Sequence, residues 1–227
     1  MKIESLDHVA LWVQDRDELA DYLIKHVGMH DIERTDAFTL VGADARRGKL
    51  TLFAAEGERE PGPLSCVGLS VTNLDRALEA LPKGLELELD SDGSVTFDAP
   101  GGLRLSLVEV NAMADYDLHH VLLRVPDPRS TLDALSELGF SREDGDLFAG
   151  QAEIRFERGG RSLPERPLLN HFGLLVESAG DHLKEAEERG LEIAEVKDTD
   201  NTYAVFVWGP DRLKLEYVEH KASFSLV

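Results

Sequence analysis

The sequence predicts an α+β fold made of four copies of one β-α-β-β-β unit, and three observations predict it. A short apolar pattern recurs four times along the 227 residues, an amphipathic helix follows each recurrence, and a glycine closes each helix at nearly constant distance. The pattern reads Leu6-Asp7-His8-Val9-Ala10-Leu11-Trp12-Val13 in the first copy and Leu64-Ser65-Cys66-Val67-Gly68-Leu69-Ser70-Val71 in the second. It returns as Leu118-His119-His120-Val121-Leu122-Leu123-Arg124-Val125 and as Leu169-Asn170-His171-Phe172-Gly173-Leu174-Leu175-Val176. Every copy has Leu two residues before the anchor, Leu three after it and Val five after it. The anchors His8, Cys66, His120 and His171 are 58, 54 and 51 residues apart.

The helix after the first anchor carries Leu19, Tyr22, Leu23 and Val27 three and four residues apart, and the third carries Leu132, Leu135 and Leu138. The closing pairs are Gly28-Met29, Gly84-Leu85, Gly139-Phe140 and Gly190-Leu191, with the glycine 20, 18, 19 and 19 residues after its anchor. Glycine suits a left-handed helix cap because it has no Cβ to clash there. Three short strands follow in each copy. In the fourth they fall near 192–196, 203–208 and 213–218, with Leu213, Leu215 and Tyr217 on one face and Glu216 on the other. Gly, Pro and charged residues mark surface linkers at 56–63, 111–117 and 158–167.

Composition narrows the partner. Hydrophobic residues at 42% and charged residues at 30% describe an ordinary globular chain. Twenty-four basic against 44 acidic residues leave a net charge of -20, which repels nucleic acid and anionic membranes and directs attention to a small-molecule substrate. No apolar run is long enough for a signal peptide or a membrane span, and the single cysteine, Cys66, fits a reducing cytoplasm. Cys66 itself reads as a small buried thiol.

A unit that opens with Leu-x-His-Val and closes with Pro210-Asp211-Arg212-Leu213-Lys214-Leu215-Glu216 resembles those of the vicinal oxygen chelate superfamily, over nearly the whole chain. Glyoxalase I, extradiol ring-cleaving dioxygenases, and fosfomycin and bleomycin resistance proteins belong to it. The resemblance implies that units pair to form curved mixed sheets whose cups enclose a metal. Four units then make two glyoxalase-like domains, at 1–112 (units one and two, metal-free) and 113–227 (units three and four, metal-bearing). Such a chain completes its own cups, so an oligomer is possible but not required.

The resemblance also places candidate ligands. Its first-strand position holds His8, Cys66, His120 and His171, and its last-strand position holds Thr51, Ser106, Arg155 and Glu216. Only the fourth copy has both a histidine and a carboxylate. Paired with the third it gives His120, His171 and Glu216, and chain order favours that pairing because sequential elements tend to be neighbours. Pairing of the first and fourth units replaces His120 by His8. Strand alternation turns His119 away from His120. Arg155 either faces the metal cup, where it clamps a substrate carboxylate, or snorkels to the rim.

Two imidazoles and a carboxylate suit Fe(II) or Mn(II), with Zn(II) or Ni(II) also accommodated. The resemblance therefore implies a metal-dependent enzyme, foremost an extradiol-dioxygenase-like oxidoreductase acting on a catechol-like chelating substrate. A non-redox lyase, isomerase or thiol transferase, or a bleomycin-resistance-type binding protein, is the alternative. Ring-cleaving relatives place a tyrosine four residues ahead of the proline and a histidine before it. Here the tyrosine position is Phe206, Lys197-Asp198-Thr199 contains no histidine, and Tyr203 falls on the other strand face.

Overall fold

The structure, a computed structural model, describes residues 1–160 and 164–224, so part of the linker expected at 158–167 lies outside the described residues. Unit one comprises β1 (Ser5–Val13), α1 (Arg16–Tyr22), β2 (His30–Arg34), β3 (Phe38–Gly42) and β4 (Lys49–Ala54). Unit two comprises β5 (Leu64–Val71), α2 (Leu74–Ala80), β6 (Glu88–Leu89), β7 (Val95–Asp98) and β8 (Arg104–Glu109). Unit three is β9 (Leu118–Val125), α3 (Pro128–Glu137), β10 (Ser141–Glu143), β11 (Asp146–Ala149) and β12 (Ala152–Arg158). Unit four is β13 (Leu169–Leu175), α4 (Ala179–Glu188), β14 (Ile193–Asp198), β15 (Thr202–Trp208) and β16 (Lys214–His220).

Local chemistry sets the helix limits. Asp15, Asn73 and Ser178 accept from the backbone N–H three residues on, which satisfies donors left free at the first turns of α1, α2 and α4, and Pro128 opens α3. Beyond α1 the helix widens over Leu23–Val27 before Gly28 ends it. All four predicted closing glycines have positive φ, from 64° at Gly190 to 102° at Gly28. Unit three turns from β10 to β11 in a tight hairpin, with Asp144 at φ 51° and Gly145 at φ 101°.

In every unit the first strand lies parallel to the last, with the helix as part of the crossover. The units then join through their first strands, which pair antiparallel, but not in the tandem order expected from chain order. One eight-stranded sheet runs β14-β15-β16-β13-β1-β4-β3-β2 and the other β10-β11-β12-β9-β5-β8-β7-β6. Unit one is therefore joined to unit four, and unit two to unit three. A division into 1–112 and 113–227 cuts both sheets, because each half of the chain gives one unit to each. The neighbour rule is obeyed once, in the middle of the chain, and the outer units close on each other. The apolar pattern could not make this choice, since all four first strands present the same pairing edge.

The strand faces divide the labour. Val9, Leu11 and Val13 pack with their counterparts Val67, Leu69, Val71, Val121, Leu123, Val125 and Leu174 into a single apolar core against the helices. Leu11, Leu69, Leu123 and Leu174 are fully excluded from water, worth about 1.5–3 kcal/mol each. The anchors alternate with these residues and so face away from the core, into the concavity of each sheet.

Candidate metal centre

In the sheet of units one and four, β1 and β13 run antiparallel with Ala10 opposite His171 and His8 opposite Gly173. Glu216, on β16, lies beside Gly173. A Cβ on Gly173 would stand 2.1 Å from Cε1 of His8, so the imidazole can lie across the neighbouring strand only because that residue is glycine.

Both strands bulge one residue before their histidine. Leu6 pairs with Leu174 and His8 with Gly173, leaving Asp7 as the extra residue, and Asn170 is extra in the same way beside His171. A bulge re-aims side chains that a regular strand would send to opposite faces. Here it brings Asp7 Oδ2 to 2.8 Å from His8 Nδ1, and Asn170 Oδ1 to 3.1 Å from His171 Nδ1. Each Nδ1 thus donates to an oxygen acceptor and leaves Nε2 for the centre of the cup.

The three inward atoms nearly touch. His8 Nε2 is 3.1 Å from His171 Nε2, and Glu216 Oε2 lies 3.0 Å from the first and 2.8 Å from the second. Cis ligands on an octahedral ion with bonds near 2.1 Å are about 3.0 Å apart, whereas a tetrahedral arrangement would hold them at roughly 3.4 Å. Two nitrogens and one carboxylate oxygen at these separations fit the facial donor set expected from the sequence, with His8 in the place given to His120. No other group of three such ligands is found among the described residues.

The electrostatics of the protein alone follow from this crowding. Burial works against a charged His8, but its bonds to Asp7 and Glu216 hold its imidazolium up to about 9. Burial drops His171 to about 4, against the pull of Glu216. Glu216 is buried too, yet both imidazoles hold it far below the ordinary carboxylate range. Asp7 resists desolvation through His220, His8 and Lys49; Lys49 Nζ is 2.8 Å from its Oδ2, and both side chains are only 3% exposed.

The donors open into a cavity of about 350 Å³ walled by Phe38, Phe53, Phe206 and Phe224. Phe206 meets His171 edge-on, with ring centroids 5.2 Å apart at 90°. His220 shares the Glu216 face of β16, places Nε2 3.3 Å from Asp7 Oδ1, and stacks flat on Phe224 at 3.8 Å. Tyr203 packs on the apolar core instead, on the face opposite Phe206 as the alternation predicted.

A family model for the Glyoxalase/Bleomycin resistance protein/Dioxygenase superfamily matches residues 5–217. The chain belongs to this superfamily. Solved structures agree on the fold. A putative dioxygenase from Bacillus subtilis subsp. subtilis str. 168 superposes with a TM-score of 0.77 at 17% identity, over 96% of this chain and 86% of that one. Glyoxalase I from Zea mays gives 0.77 at 15% identity, over 95% and 92% of the two chains. The cppA protein from Streptococcus pneumoniae TIGR4 gives 0.67 at 15%, over 96% and 100%. No curated protein sequence matches.

As a superfamily member with four units, the chain has a second cup, and there lie the two candidates that the first cup lacks. His120 crosses Gly68 as His8 crosses Gly173, with the same 2.1 Å from its Cε1 to a Cβ built on the glycine. It is buried, and desolvation, Arg155 and His119 depress it to about 4. Its register partner is Gly68, and the positions equivalent to His171 and Glu216 hold Cys66 and Ser106, so it meets no carboxylate ligand. Arg155 also belongs to this cup, bonded to Glu153 at 2.8 Å and Asp92 at 3.1 Å; the residue facing the first cup at its register position is Thr51. His119 is the extra residue of a bulge, so its Nδ1 reaches His120 Nδ1 at 3.0 Å rather than turning away. Cys66 is buried as expected, and desolvation pushes its thiol up to about 12.

Asp7, Asn170, Lys49 and His220 escaped the sequence reading. A signal for the first two was present. The residue before the anchor is an oxygen acceptor in Leu6-Asp7-His8 and in Leu169-Asn170-His171, and is not one of that kind before His120.

Proposed function

We propose that the chain is a divalent-metal-dependent enzyme that holds Fe(II) or Mn(II) on His8, His171 and Glu216 and acts on a small aromatic substrate bearing two adjacent oxygens, as an extradiol-dioxygenase-like oxidoreductase. The observation that carries this is the convergence of Nε2, Nε2 and Oε2 within 3.1 Å at the base of a phenylalanine-walled cavity. When bound, the ion supplies acidification of the substrate oxygens and open positions for substrate and dioxygen. The chain's own residues do the rest. Phe38, Phe53 and Phe206 sandwich a flat ring and exclude water. Asp7 and Asn170 fix both imidazoles in the ligating tautomer. His220, on the cavity wall, points Nε2 at Asp7 Oδ1 and helps position the carboxylate behind His8.

Phe206 supports a second reading, because it puts a hydrocarbon ring where ring-cleaving relatives place a tyrosine hydroxyl. A non-redox lyase, isomerase or thiol transferase would use the same three ligands. The two readings separate in one experiment. Protein purified without chelators or a histidine tag is analysed for metal, then stripped and reloaded anaerobically with Fe(II). Oxygen uptake on a catechol panel supports the oxidoreductase. Turnover of a chelating substrate that survives replacement of iron by Ni(II) or Zn(II), with no oxygen consumed, supports the alternative. Absence of bound metal, with no gain on reloading, overturns both.

A further inference from the structure

The second cup has Ser106 and Cys66 in place of a carboxylate and an imidazole, yet it is not filled. It encloses a cavity of about 510 Å³ between β5, β8, β9 and β12. At its base the Ser106 hydroxyl is 2% exposed and has no hydrogen-bond partner. It stands at the Glu216 register position, beside Gly68 as Glu216 stands beside Gly173. A buried hydroxyl without a partner is costly, and one facing a cavity is ready to donate to an occupant. Arg155 replaces Thr51 at the remaining equivalent position, bringing a permanent cation into the cup.

These exchanges reverse the chemistry of the site. A cation would lack the carboxylate and face a guanidinium, so a metal is disfavoured. Arg155 already grips two carboxylates, Glu153 through Nε and Asp92 through Nη1. The Asp92 contact is partly exposed and comes from the turn between β6 and β7, and an ion pair of that kind holds weakly. An incoming carboxylate can take its place. Asp90, Asp92 and Glu157 line the same cavity opposite Arg104, Arg124 and Arg155, a balanced lining with no surplus of positive charge for a dianion. His120 stays neutral between His119 and the cavity and adds a hydrogen-bonding edge without charge.

We propose that the second cup binds a small monoanionic carboxylate, gripped by the planar fork of Arg155 and a hydrogen bond from Ser106 Oγ. This site is independent of the metal centre. The test uses the full chain treated with chelator, so that the first cup offers no metal, and titrates glycolate while following backbone and Arg155 side-chain NMR shifts. Saturable binding in the millimolar range is expected, with shifts centred on Ser106, His120 and Arg155. Arg155→Gln weakens it at least tenfold, and Arg155→Lys, which keeps the charge but loses the flat fork, weakens it severalfold. Ser106→Ala costs about threefold, and Glu216→Ala leaves it unchanged. Non-saturating shifts, binding that survives both Arg155 variants, shifts centred on His8, or tighter binding of inorganic phosphate than of glycolate would each overturn the proposal.

Discussion

The two cups share one plan and differ at three of the four equivalent positions that face them. Both have paired first strands with a bulge before each anchor, and both have a histidine lying across a glycine. In one, the remaining positions are His171, Glu216 and Thr51; in the other they are Cys66, Ser106 and Arg155. The scaffold fixes where atoms point, and the side chains decide whether that point suits a cation. His8 and His120 have the same pose against their glycines. Burial and a nearby guanidinium keep His120 a neutral imidazole, whereas two carboxylates hold His8 as the imidazolium.

The sharpest way to break this comparison is to remove one ligand from each cup. Glu216→Ala or His8→Ala is expected to reduce bound metal to background by elemental analysis, while Ser106→Ala and His120→Ala leave it at the wild-type level. If His120→Ala removed the metal, the assignment of cups would be reversed. Next come the glycines. Gly173→Ala drives a methyl group into the His8 ring and should lower metal affinity by more than a hundredfold with the fold intact by circular dichroism, whereas Gly68→Ala disturbs only His120.

The support behind the ligands gives a smaller effect. Asp7→Asn removes the charge that steadies His8 Nδ1–H and should weaken metal binding about 10–100-fold, measured by competition with a chromophoric chelator. His119→Asn, its counterpart, should leave metal binding alone. The smallest difference is in reactivity. Burial pushes the Cys66 thiol up to about 12, so at pH 8 it stays in the unreactive protonated form. Alkylation by iodoacetamide should be slow in the native protein and become fast in denaturant.

Most of the fold was legible, because its signals are local. Periodic leucines, closing glycines and turn residues each act within a few positions, and four repetitions made them unmistakable. The identities of His171 and Glu216 were legible for the same reason, through their shared register in unit four. The partner of that unit was not. His8 and His120 both follow Leu-x and precede Val, and both face a glycine two residues past an anchor, Gly173 or Gly68, so steric pattern alone fits either match. The discriminating residue sat one position earlier. Asp7 can hold an imidazole for metal binding in a way that His119 cannot, but strand alternation hid the point, since only a bulge turns both side chains the same way. Lys49 and His220 were out of reach, because they join Asp7 across three strands that only the folded sheet makes neighbours.

The nesting of one unit pair inside the other has a consequence for how the chain is made. During synthesis β5 to β12 emerge together and hold all the partners their sheet requires, so the inner pair can fold early. The opening strand β1 must wait until β13 to β16 have appeared before its own sheet is complete, a closure over more than 150 residues of chain (Ser5 to Leu175) that favours slow assembly. Trimming the last unit would therefore strand the first one, and a rearranged chain that starts at unit four and runs directly into unit one should fold faster than the natural order.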